Sequence, residues 1–261
     1  MNLKRLFKTI FFTLIIYYFL FALFLYFRQR NLIYYPDNQD FYNCPYFIDY
    51  EKLNYNGTRF YYKELSEDLI VHYHGNAGSA CDRSFLKIHL EANNHSVIFV
   101  EYAGYSNDNR RPSKDLILND VENIVSFIKE NNFKNITVFG ESIGSGPAAY
   151  QAYISKVDSI ILVSPFYDLK SLAQSLYPIF PASIMLKDNY DNKKWLNNYT
   201  GDLLIFHGKK DPTTPYKFSK KLYNQVASLN KEYILIDEAG HNDIYSFNIF
   251  YDKLSRFLKN D

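Results

Sequence analysis

Ser142 lies in a pattern of residues that could make it a nucleophile. Residues 140–144 read GESIG, which matches G-x-S-x-G, and they follow an apolar, β-prone run that ends at Gly140. In a nucleophile elbow the serine occupies a strained turn between a strand and a helix, and small neighbours allow that turn to close. A serine that caps a helix after a strand gives the same pattern, so the motif alone leaves both interpretations open.

A serine that attacks a carbonyl carbon also needs donors for the negative charge that develops on the carbonyl oxygen. The start of the helix after Ser142 directs backbone N–H groups at such an oxyanion, and the first of them is the N–H of Ile143. Residues 74–78 read HGNAG and come at the end of the first strongly apolar strand predicted after the N-terminal region. Small residues there allow a second N–H group to approach, and Asn76 is the predicted donor.

The serine further needs a base, and the base needs a carboxylate that fixes its tautomer. Asp211 follows a predicted buried strand, and His241 follows the last predicted strand. In isolation each has a simpler explanation, because turn aspartates before a proline and surface histidines are common. Asp168, which follows the preceding strand, is the competing acid.

The order of these residues along the chain favours catalysis over the simpler explanations. Ser142, Asp211 and His241 each come directly after their own predicted strand. Ligands of open parallel sheets bind beyond the carboxyl ends of the strands, which is where the three side chains would meet. The succession Ser, Asp, His resembles the α/β-hydrolase order and differs from the orders of other triad folds. We therefore predict a catalytic triad of these three residues.

Strand-like and helix-like stretches alternate through the soluble part, and they predict how these residues are positioned. Near-continuous apolar strands between amphipathic helices indicate an α/β fold, with a mostly parallel sheet and helices on both faces. The less regular segment 167–195 is expected to cover part of a site. The predicted strands lie at 68–75, 96–104, 136–140, 159–165, 202–208 and 232–240, and the predicted helices at 115–130, after Ser142, at 216–229 and at 242–258.

An uncharged run near the N-terminus predicts a membrane anchor. Thr9–Phe27 contains no charged residue and is close to the length that crosses a bilayer core of about 30 Å. A signal peptide would have a shorter apolar region and a small-residue cleavage site, and a buried core helix would have a polar face. We predict a transmembrane helix at about 9–27 within an anchor of residues 1–30, followed by a catalytic domain of residues 31–261.

The basic residues that flank this run predict its orientation. Lys4, Arg5 and Lys8 precede the run, whereas Arg28 and Arg30 follow it. By the positive-inside rule, the N-terminus lies in the cytoplasm and the catalytic domain lies on the non-cytoplasmic side. The chain is thus predicted to be a single-pass membrane protein.

Composition argues against several classes of partner and cofactor. A formal net charge of +1 gives no electrostatic case for nucleic acid. His72 and His74, two residues apart on a predicted strand, could suggest a metal pair, but no metal or other cofactor is predicted, and His74 is expected to make structural hydrogen bonds. Cys44 and Cys81 are too few for a disulfide framework or a metal site. Free thiols are the favoured interpretation, and one disulfide in an oxidising compartment is the alternative.

Six longer motifs carry a resemblance to a known group of proteins. They are RNLIYYPD after the apolar run, VHYHGNAGS, VEYAGYS, VFGESIGSGPAA, IFHGKKDPTTP and EAGHND. From about residue 31 onward the chain resembles the α/β-hydrolase superfamily and, within it, the membrane-anchored Bem46-like group that includes the ABHD13 and ABHD17 proteins. One departure is the loop NDNRRPS, expected near the site, where relatives more usually carry a glycine before Arg-Pro. The resemblance implies the α/β-hydrolase fold and serine hydrolase activity on esters or thioesters.

Together these features predict a membrane-anchored serine hydrolase that cleaves carboxylic ester or thioester bonds through an acyl-enzyme, without a cofactor. The anchor indicates a substrate at the bilayer surface, such as a lipid, an acylated protein or a small-molecule ester. Two alternatives stay open because a fold does not determine a function. One is a serine peptidase, and the other is a non-catalytic hydrolase-fold protein that serves as a membrane scaffold.

Overall fold

The computed structural model describes residues 3–259, in which helices and strands alternate along the chain. The outer ends of the predicted anchor and catalytic domain, residues 1–2 and 260–261, lie outside this range. The strands are β1 Tyr35–Pro36, β2 Glu51–Tyr55, β3 Thr58–Lys63, β4 Asp68–Tyr73, β5 Ala77–Gly78, β6 Ser96–Glu101, β7 Asn135–Glu141, β8 Ser159–Val163, β9 Asp202–Gly208 and β10 Lys231–Ile236. The helices are α1 Leu3–Ile33, α2 Lys87–Leu90, α3 Lys114–Glu130, α4 Ser145–Ile154, α5 Leu169–Leu176, α6 Ala182–Met185, α7 Asn192–Trp195, α8 Lys217–Gln225 and α9 Asn248–Phe257.

The main sheet has the predicted architecture. Within residues 3–259, eight strands hydrogen-bond in the order β10-β9-β8-β7-β4-β6-β3-β2. The strands from β10 to β6 pair in parallel, whereas β3 is antiparallel to β6 and β2 is antiparallel to β3. The prediction of a mostly parallel sheet is therefore confirmed. From β4 the chain continues to β6, its neighbour on one side, and then crosses to β7, its neighbour on the other side. The carboxyl ends of β4 and β7 therefore form a switch point.

The hairpin of β2 and β3 is not among the strands predicted from the sequence. Its two loop residues, Asn56 and Gly57, have positive φ angles of 51° and 86°, as a tight hairpin turn requires. The flanking pair is Tyr55 with Thr58. The Asn-Gly pair is the signal that could have predicted the hairpin, but its strands are rich in polar and charged residues and lack the apolar runs of the central strands.

Both faces of the sheet are buried, which explains why its central strands are apolar along their whole length. Leu69 and Val71 of β4 pack into one core cluster, and Ile70 between them packs into the other. Successive side chains of a strand point to opposite faces. Helices α3, α4 and α8 contribute to the first cluster, and α2 and α9 contribute to the second. Helices therefore cover both faces, as predicted.

Two of the predicted helices are shorter in the structure. Helix α8 ends at Gln225 because the backbone becomes extended at the buried residue Val226. Helix α9 begins at Asn248, because the residues after His241 form a loop and the 3₁₀ turn Ile244–Ser246. His241 lies on the loop between β10 and α9.

Helix α1 is continuous over 31 residues, Leu3–Ile33. Among the described residues it is the one helix long and apolar enough to cross a membrane, by length and composition. It extends beyond the predicted span at both ends. Strand β1 follows directly and pairs in parallel with β5, which adjoins the predicted oxyanion loop.

Cys44 and Cys81 form a disulfide, with their Cα atoms 6.0 Å apart. The expectation of two free thiols is therefore wrong. Both residues are buried in the second core cluster with Phe41 and Phe47. The pair is 37 residues apart in sequence, and only the packing of the segment after α1 onto the domain brings the two side chains together. The bond ties that segment to the 3₁₀ turn Cys81–Leu86.

Candidate active site

The turn between β7 and α4 has the geometry of a nucleophile elbow. Ser142 has a positive φ of 52°, which a non-glycine residue adopts when its surroundings enforce it. A Cβ atom on Gly140 would lie 2.5 Å from the carbonyl oxygen of Gly144. A Cβ atom on Gly144 would lie 2.2 Å from the carbonyl oxygen of Tyr73. Both positions require glycine because the backbone approaches so closely.

The structure brings the three predicted catalytic side chains together in one hydrogen-bonded chain. Ser142 Oγ lies 3.0 Å from Nε2 of His241, and His241 Nδ1 lies 2.6 Å from Oδ2 of Asp211. Because an ionised carboxylate only accepts, Nδ1 carries the proton and Nε2 presents its lone pair to the serine hydroxyl. This arrangement can take the serine proton during attack on a carbonyl carbon.

The loop after β9 holds Asp211 as a carboxylate. Its Oδ1 accepts the backbone N–H groups of Thr213 and Thr214, each at 2.8 Å. Burial opposes ionisation, but hydrogen bonds from His207 and His241 outweigh it, so the pKa of Asp211 falls well below its ordinary value. The acid therefore stays charged through the neutral pH range, which the tautomer of His241 requires.

His207 is a neighbour of the site whose contact with Asp211 the sequence analysis missed. Its Nε2 lies 2.7 Å from the carbonyl oxygen of Thr214 and 3.2 Å from Oδ2 of Asp211. Because a carbonyl oxygen only accepts, Nε2 carries a proton and faces the carboxylate as a second donor. The spacing of His207 and Asp211, four residues apart at the end of a strand, is the signal that could have indicated this contact.

Asp168, the competing acid, caps helix α5 instead. Its side chain accepts the backbone N–H of Ser171 at 2.9 Å and the hydroxyl of the same residue at 2.6 Å. It also pairs with Lys193 at 3.1 Å. Aspartate is favoured at such a position because it satisfies a free N–H group of the first helical turn. Asp211, not Asp168, hydrogen-bonds to His241.

The two predicted oxyanion donors lie in the wall of the same cavity as Ser142. Asn76 follows β4 and Ile143 follows β7, and these strands are direct neighbours in the sheet. Their carboxyl ends form the switch point of the sheet, where an open α/β fold leaves a crevice. The adjacency of β4 and β7 thus places both residues beside the serine.

The loop that carries Asn76 is held by hydrogen bonds to the C-terminal end of α1, to β1 and to a tyrosine after β6. The side-chain amide of Asn76 donates to the carbonyl oxygen of Ile33 at 3.1 Å. Its own carbonyl oxygen accepts the N–H of Tyr35 at 2.9 Å and the hydroxyl of Tyr105 at 2.8 Å. The predicted oxyanion loop and the helix of the predicted anchor are therefore directly hydrogen-bonded.

A cavity of about 210 Å³ lies over Ser142, and its wall is mostly apolar. It is formed by the end of α1, the loop of Asn76, the turns around the serine and the acid, and residues 166–186, which we call the cap segment. This segment falls largely within the stretch predicted to cover the site. The cavity is lined by Leu25, Tyr26, Gln29, Leu32, Ile33, Asn76, Ser142, Ile143, Phe166, Leu169, Leu172, Ala173, Leu176, Tyr177, Phe180, Ala182, Met185, Leu186, Thr213 and Thr214.

The loop that departs from the family pattern borders a different cavity. Arg111 and Pro112 line a space of about 480 Å³ together with Arg28, Arg30 and Lys187. This second cavity lies at the C-terminal end of α1, and neither residue of the loop lines the cavity over the serine. The departure of this loop from the family pattern therefore changes residues beside the predicted anchor and not the wall of the cavity over Ser142.

His72 lies in β4 and His74 directly follows the strand, and both side chains have structural roles. The Nδ1 atom of His74 lies 2.7 Å from the carbonyl oxygen of Gly75, and its ring stacks on Tyr102. Burial lowers the pKa of His72 to about 3, so this side chain is neutral. Among residues 3–259, no cluster of three or more His, Cys, Asp or Glu side chains is placed to hold a metal ion.

Glu141, directly before the serine, braces the elbow against the neighbouring loop. Its carboxylate accepts from Nε and Nη2 of Arg83 at 2.7 and 2.9 Å, and from the Tyr245 hydroxyl at 3.1 Å. A Cβ atom on Gly75 would lie 2.7 Å from this carboxylate. Burial raises the pKa of Glu141, but the charge and hydrogen bonds of Arg83 outweigh it, so the pKa lies below its ordinary value.

The replacement Glu141→Gln is expected to flatten the loss of stability at acid pH. A carboxyl group whose pKa is lowered on folding stabilises the fold above its unfolded pKa of about 4.3, and the contribution is lost as pH falls through the folded pKa. Wild-type protein should thus lose more free energy of unfolding than Glu141→Gln between about pH 6 and about pH 3. Urea unfolding at several pH values measures this difference.

The matched control for this prediction is Glu67→Gln. Glu67 pairs with Lys134, and both side chains are exposed to solvent, so the pair contributes little. This variant is expected to follow the pH profile of the wild type. Identical profiles for wild type and Glu141→Gln would contradict the role given to the Arg83–Glu141 pair.

Comparison with known proteins finds relatives that are similar to about two thirds of this chain. No protein-family model matches the chain. The chain is similar to the uncharacterized protein YfhR of Escherichia coli O157:H7, with 29% identity over 186 residues, which are 68% of this chain and 64% of that protein. It is also similar to the lysophosphatidylserine lipase ABHD12 of Xenopus tropicalis, with 29% identity over 194 residues, which are 64% of this chain and 50% of that protein. The chain thus spans less than two thirds of the length of both relatives.

A solved structure shows the same fold. The esterase EaEST from Exiguobacterium antarcticum superimposes with a TM-score of 0.61 and 20% sequence identity, and the match covers 80% of this chain and 98% of the esterase. This chain therefore has the α/β-hydrolase fold. The fold and the similarity to ABHD12 are consistent with the predicted resemblance to α/β-hydrolases of the Bem46-like group.

Proposed function

We propose that this chain is a serine hydrolase that cleaves carboxylic ester or thioester bonds through an acyl-enzyme. The observation that carries the proposal is the hydrogen-bonded chain of Ser142, His241 and Asp211 beneath an apolar cavity. A serine that only capped a helix would need neither a positive φ nor a histidine nitrogen 3.0 Å away. Two similar proteins are named as a lipase and an esterase, which points to the same class of bond.

The first half of the reaction forms the acyl-enzyme. Ser142 Oγ attacks the carbonyl carbon of the substrate while Nε2 of His241 takes the serine proton, and Asp211 stabilises the imidazolium that results. The backbone N–H groups of Ile143 and Asn76 donate to the oxyanion. His241 then gives its proton to the leaving alcohol or thiol, and the acyl group remains on the serine oxygen.

The second half releases the acid. A water molecule attacks the acyl carbonyl carbon while Nε2 of His241 takes its proton, and the same two N–H groups stabilise the second oxyanion. When the intermediate collapses, the proton returns to Ser142 Oγ and the carboxylic acid leaves. Every proton in this cycle is carried by His241, and no cofactor takes part.

We also propose that residues 1–30 anchor the chain in a membrane and that the catalytic domain, residues 31–261, lies on the non-cytoplasmic side. The length and composition of α1 support the anchor. The basic residues before the apolar run outnumber those after it, which supports the orientation. The Cys44–Cys81 disulfide supports it independently, since disulfides persist in oxidising compartments. The substrate is then a lipid, an acylated protein or a small ester at the bilayer surface.

Labelling with a fluorophosphonate probe tests the proposed nucleophile. Full-length protein in detergent is expected to be labelled, and Ser142→Ala is expected to lose the label completely because the probe phosphonylates an activated serine. The matched control is Ser126→Ala, since Ser126 lies on the exposed face of α3 and donates to the carbonyl oxygen of Glu122. Folded wild-type protein that takes no label would refute the enzyme and favour the membrane scaffold.

A comparison of substrates tests the type of bond. p-Nitrophenyl esters and acyl thioesters are expected to be hydrolysed by the wild type and not by Ser142→Ala. Cleavage of peptides without hydrolysis of esters would favour the serine peptidase. The apolar cavity favours an acyl chain as the group that binds beside the serine.

A further inference from the structure

The cap segment carries an uncharged stretch with apolar side chains on its surface. From Ser171 to Leu186 the sequence has no charged residue, and Lys170 and Lys187 border it. Exposed apolar side chains that lie together indicate a surface that contacts another apolar phase. In this stretch they are Leu176, Tyr177, Ile179 and Ile184.

Contacts with α1 fix how far this stretch reaches along the helix. The Tyr18 hydroxyl donates to the carbonyl oxygen of Ile179 at 2.9 Å, and its ring stacks on Phe180 at 5.2 Å. Tyr18 precedes Arg28, the first charged residue after the apolar run, by about 15 Å of helix. In a bilayer core of about 30 Å, the tip of the cap segment therefore lies near mid-depth. The Tyr18 hydroxyl satisfies a carbonyl group that lipid could not.

Polar contacts fasten the C-terminal end of α1 to the end of the cap segment. Gln29, which is buried, accepts the N–H of Lys187 at 2.7 Å and donates to the carbonyl oxygen of Met185 at 3.2 Å. Arg30 pairs with Asp188 at 2.9 Å. These contacts hold α1 at a fixed position against the domain, so the helix is part of the packed structure and not only a predicted membrane anchor.

The same part of α1 forms one wall of the cavity over Ser142. Leu25 and Leu32 face the cavity from the helix, and Leu172 and Phe180 face it from the cap segment. A ligand bound beside the serine therefore touches the predicted membrane helix itself. The volume of about 210 Å³ is below the range of about 300–1,000 Å³ that is usual for drug-sized ligands, so the cavity suits one linear chain.

We propose that α1 and the cap segment lie together in one leaflet and form a lateral entrance through which the acyl chain of a bilayer-resident ester or thioester reaches Ser142. An acyl chain that enters this way passes from lipid to an apolar cavity without contact with water, so its hydrophobic burial is retained. The inference rests on the proposed function for its chemistry and deepens it. It names the substrate class as membrane-embedded compounds with a long, unbranched acyl chain.

Photolabelling from the bilayer tests the position of the cap segment without any need for catalysis. The full-length Ser142→Ala protein is reconstituted in phosphatidylcholine vesicles that contain a phosphatidylcholine with a diazirine in its acyl chain. After irradiation, peptides from α1 and from residues 176–186 are expected to carry the label, whereas peptides from α9, on the other core cluster, are not. Label on α1 without label on residues 176–186 would overturn the proposal.

Chain-length selectivity tests whether α1 contacts the acyl group. Leu25→Trp narrows the cavity from the helix side, so the ratio of kcat/KM for p-nitrophenyl palmitate to that for the butyrate is expected to fall about tenfold or more. Leu23→Trp is the matched control because Leu23 is exposed on α1 and does not line the cavity, and it should leave the ratio unchanged. An unchanged ratio in Leu25→Trp, or an equal fall in both variants, would overturn the proposal. If the wild type hydrolyses neither ester while the Ser142→Ala protein shows the expected photolabelling, the proposed function is refuted and the membrane position of the cap segment is still supported.

Discussion

Replacement of Asp211 by asparagine is expected to lower kcat by about 10⁴-fold while the fold is retained. The amide oxygen of the new side chain must accept the N–H groups of Thr213 and Thr214, as Oδ1 does at 2.8 Å in the wild type, because the amide nitrogen cannot accept. The NH₂ group then faces Nδ1 of His241 and donates to it. The imidazole proton moves to Nε2, which can no longer take the proton of Ser142.

The matched control for this prediction is Asp168→Asn. Asp168 is also buried, also follows a strand and also accepts a backbone N–H, but it caps α5 and does not contact the histidine. Its replacement is expected to change stability more than turnover. Steady-state hydrolysis of a short ester, with folding checked by thermal unfolding, separates the two variants. A large loss of kcat in Asp168→Asn together with normal turnover in Asp211→Asn would reverse the assignment of the acid.

The relative placement of the candidate catalytic residues could be predicted because one rule of parallel sheets governs it. Ser142, Asp211 and His241 each follow a different strand, and the carboxyl ends of parallel strands meet at one edge of the sheet. Asn76 follows from the same rule, since β4 lies next to β7. The apolar runs of β4, β7 and β9 made these strands visible in the sequence, because strands buried on both faces have little polar alternation.

Contacts between distant parts of the chain could not be predicted in this way. The hydrogen bond from Asn76 to Ile33 and the ion pair of Arg83 with Glu141 join residues that no periodic pattern relates. The uncharged stretch in the cap segment is visible in the sequence, but its proposed membrane position depends on the contact with Tyr18. The sequence therefore predicts the positions of the candidate catalytic residues, whereas the part of the cavity wall that α1 contributes results from tertiary packing.

Removal of the disulfide is the second change with a large expected effect. The double variant Cys44→Ala/Cys81→Ala is expected to have a free energy of unfolding lower by about 4 kcal/mol. The bond closes a loop whose ends are 37 residues apart, and the main cost of its removal is the conformational entropy that the unfolded chain regains. The cavity left by two buried sulfur atoms adds to that loss.

Urea unfolding with and without reductant measures this effect and contains its own control. Reduced wild type is expected to lose most of the same free energy of unfolding, somewhat less than the double variant because its buried sulfur atoms remain, and the double variant should not respond to reductant. The fluorescence of Trp195, the single tryptophan, reports the transition. Because Cys81 lies shortly after the loop of Asn76, loss of the bond should also lower ester hydrolysis. If the wild type unfolds identically in both conditions, the bond is absent from the purified protein, and the non-cytoplasmic placement of the catalytic domain then depends on the flanking basic residues alone.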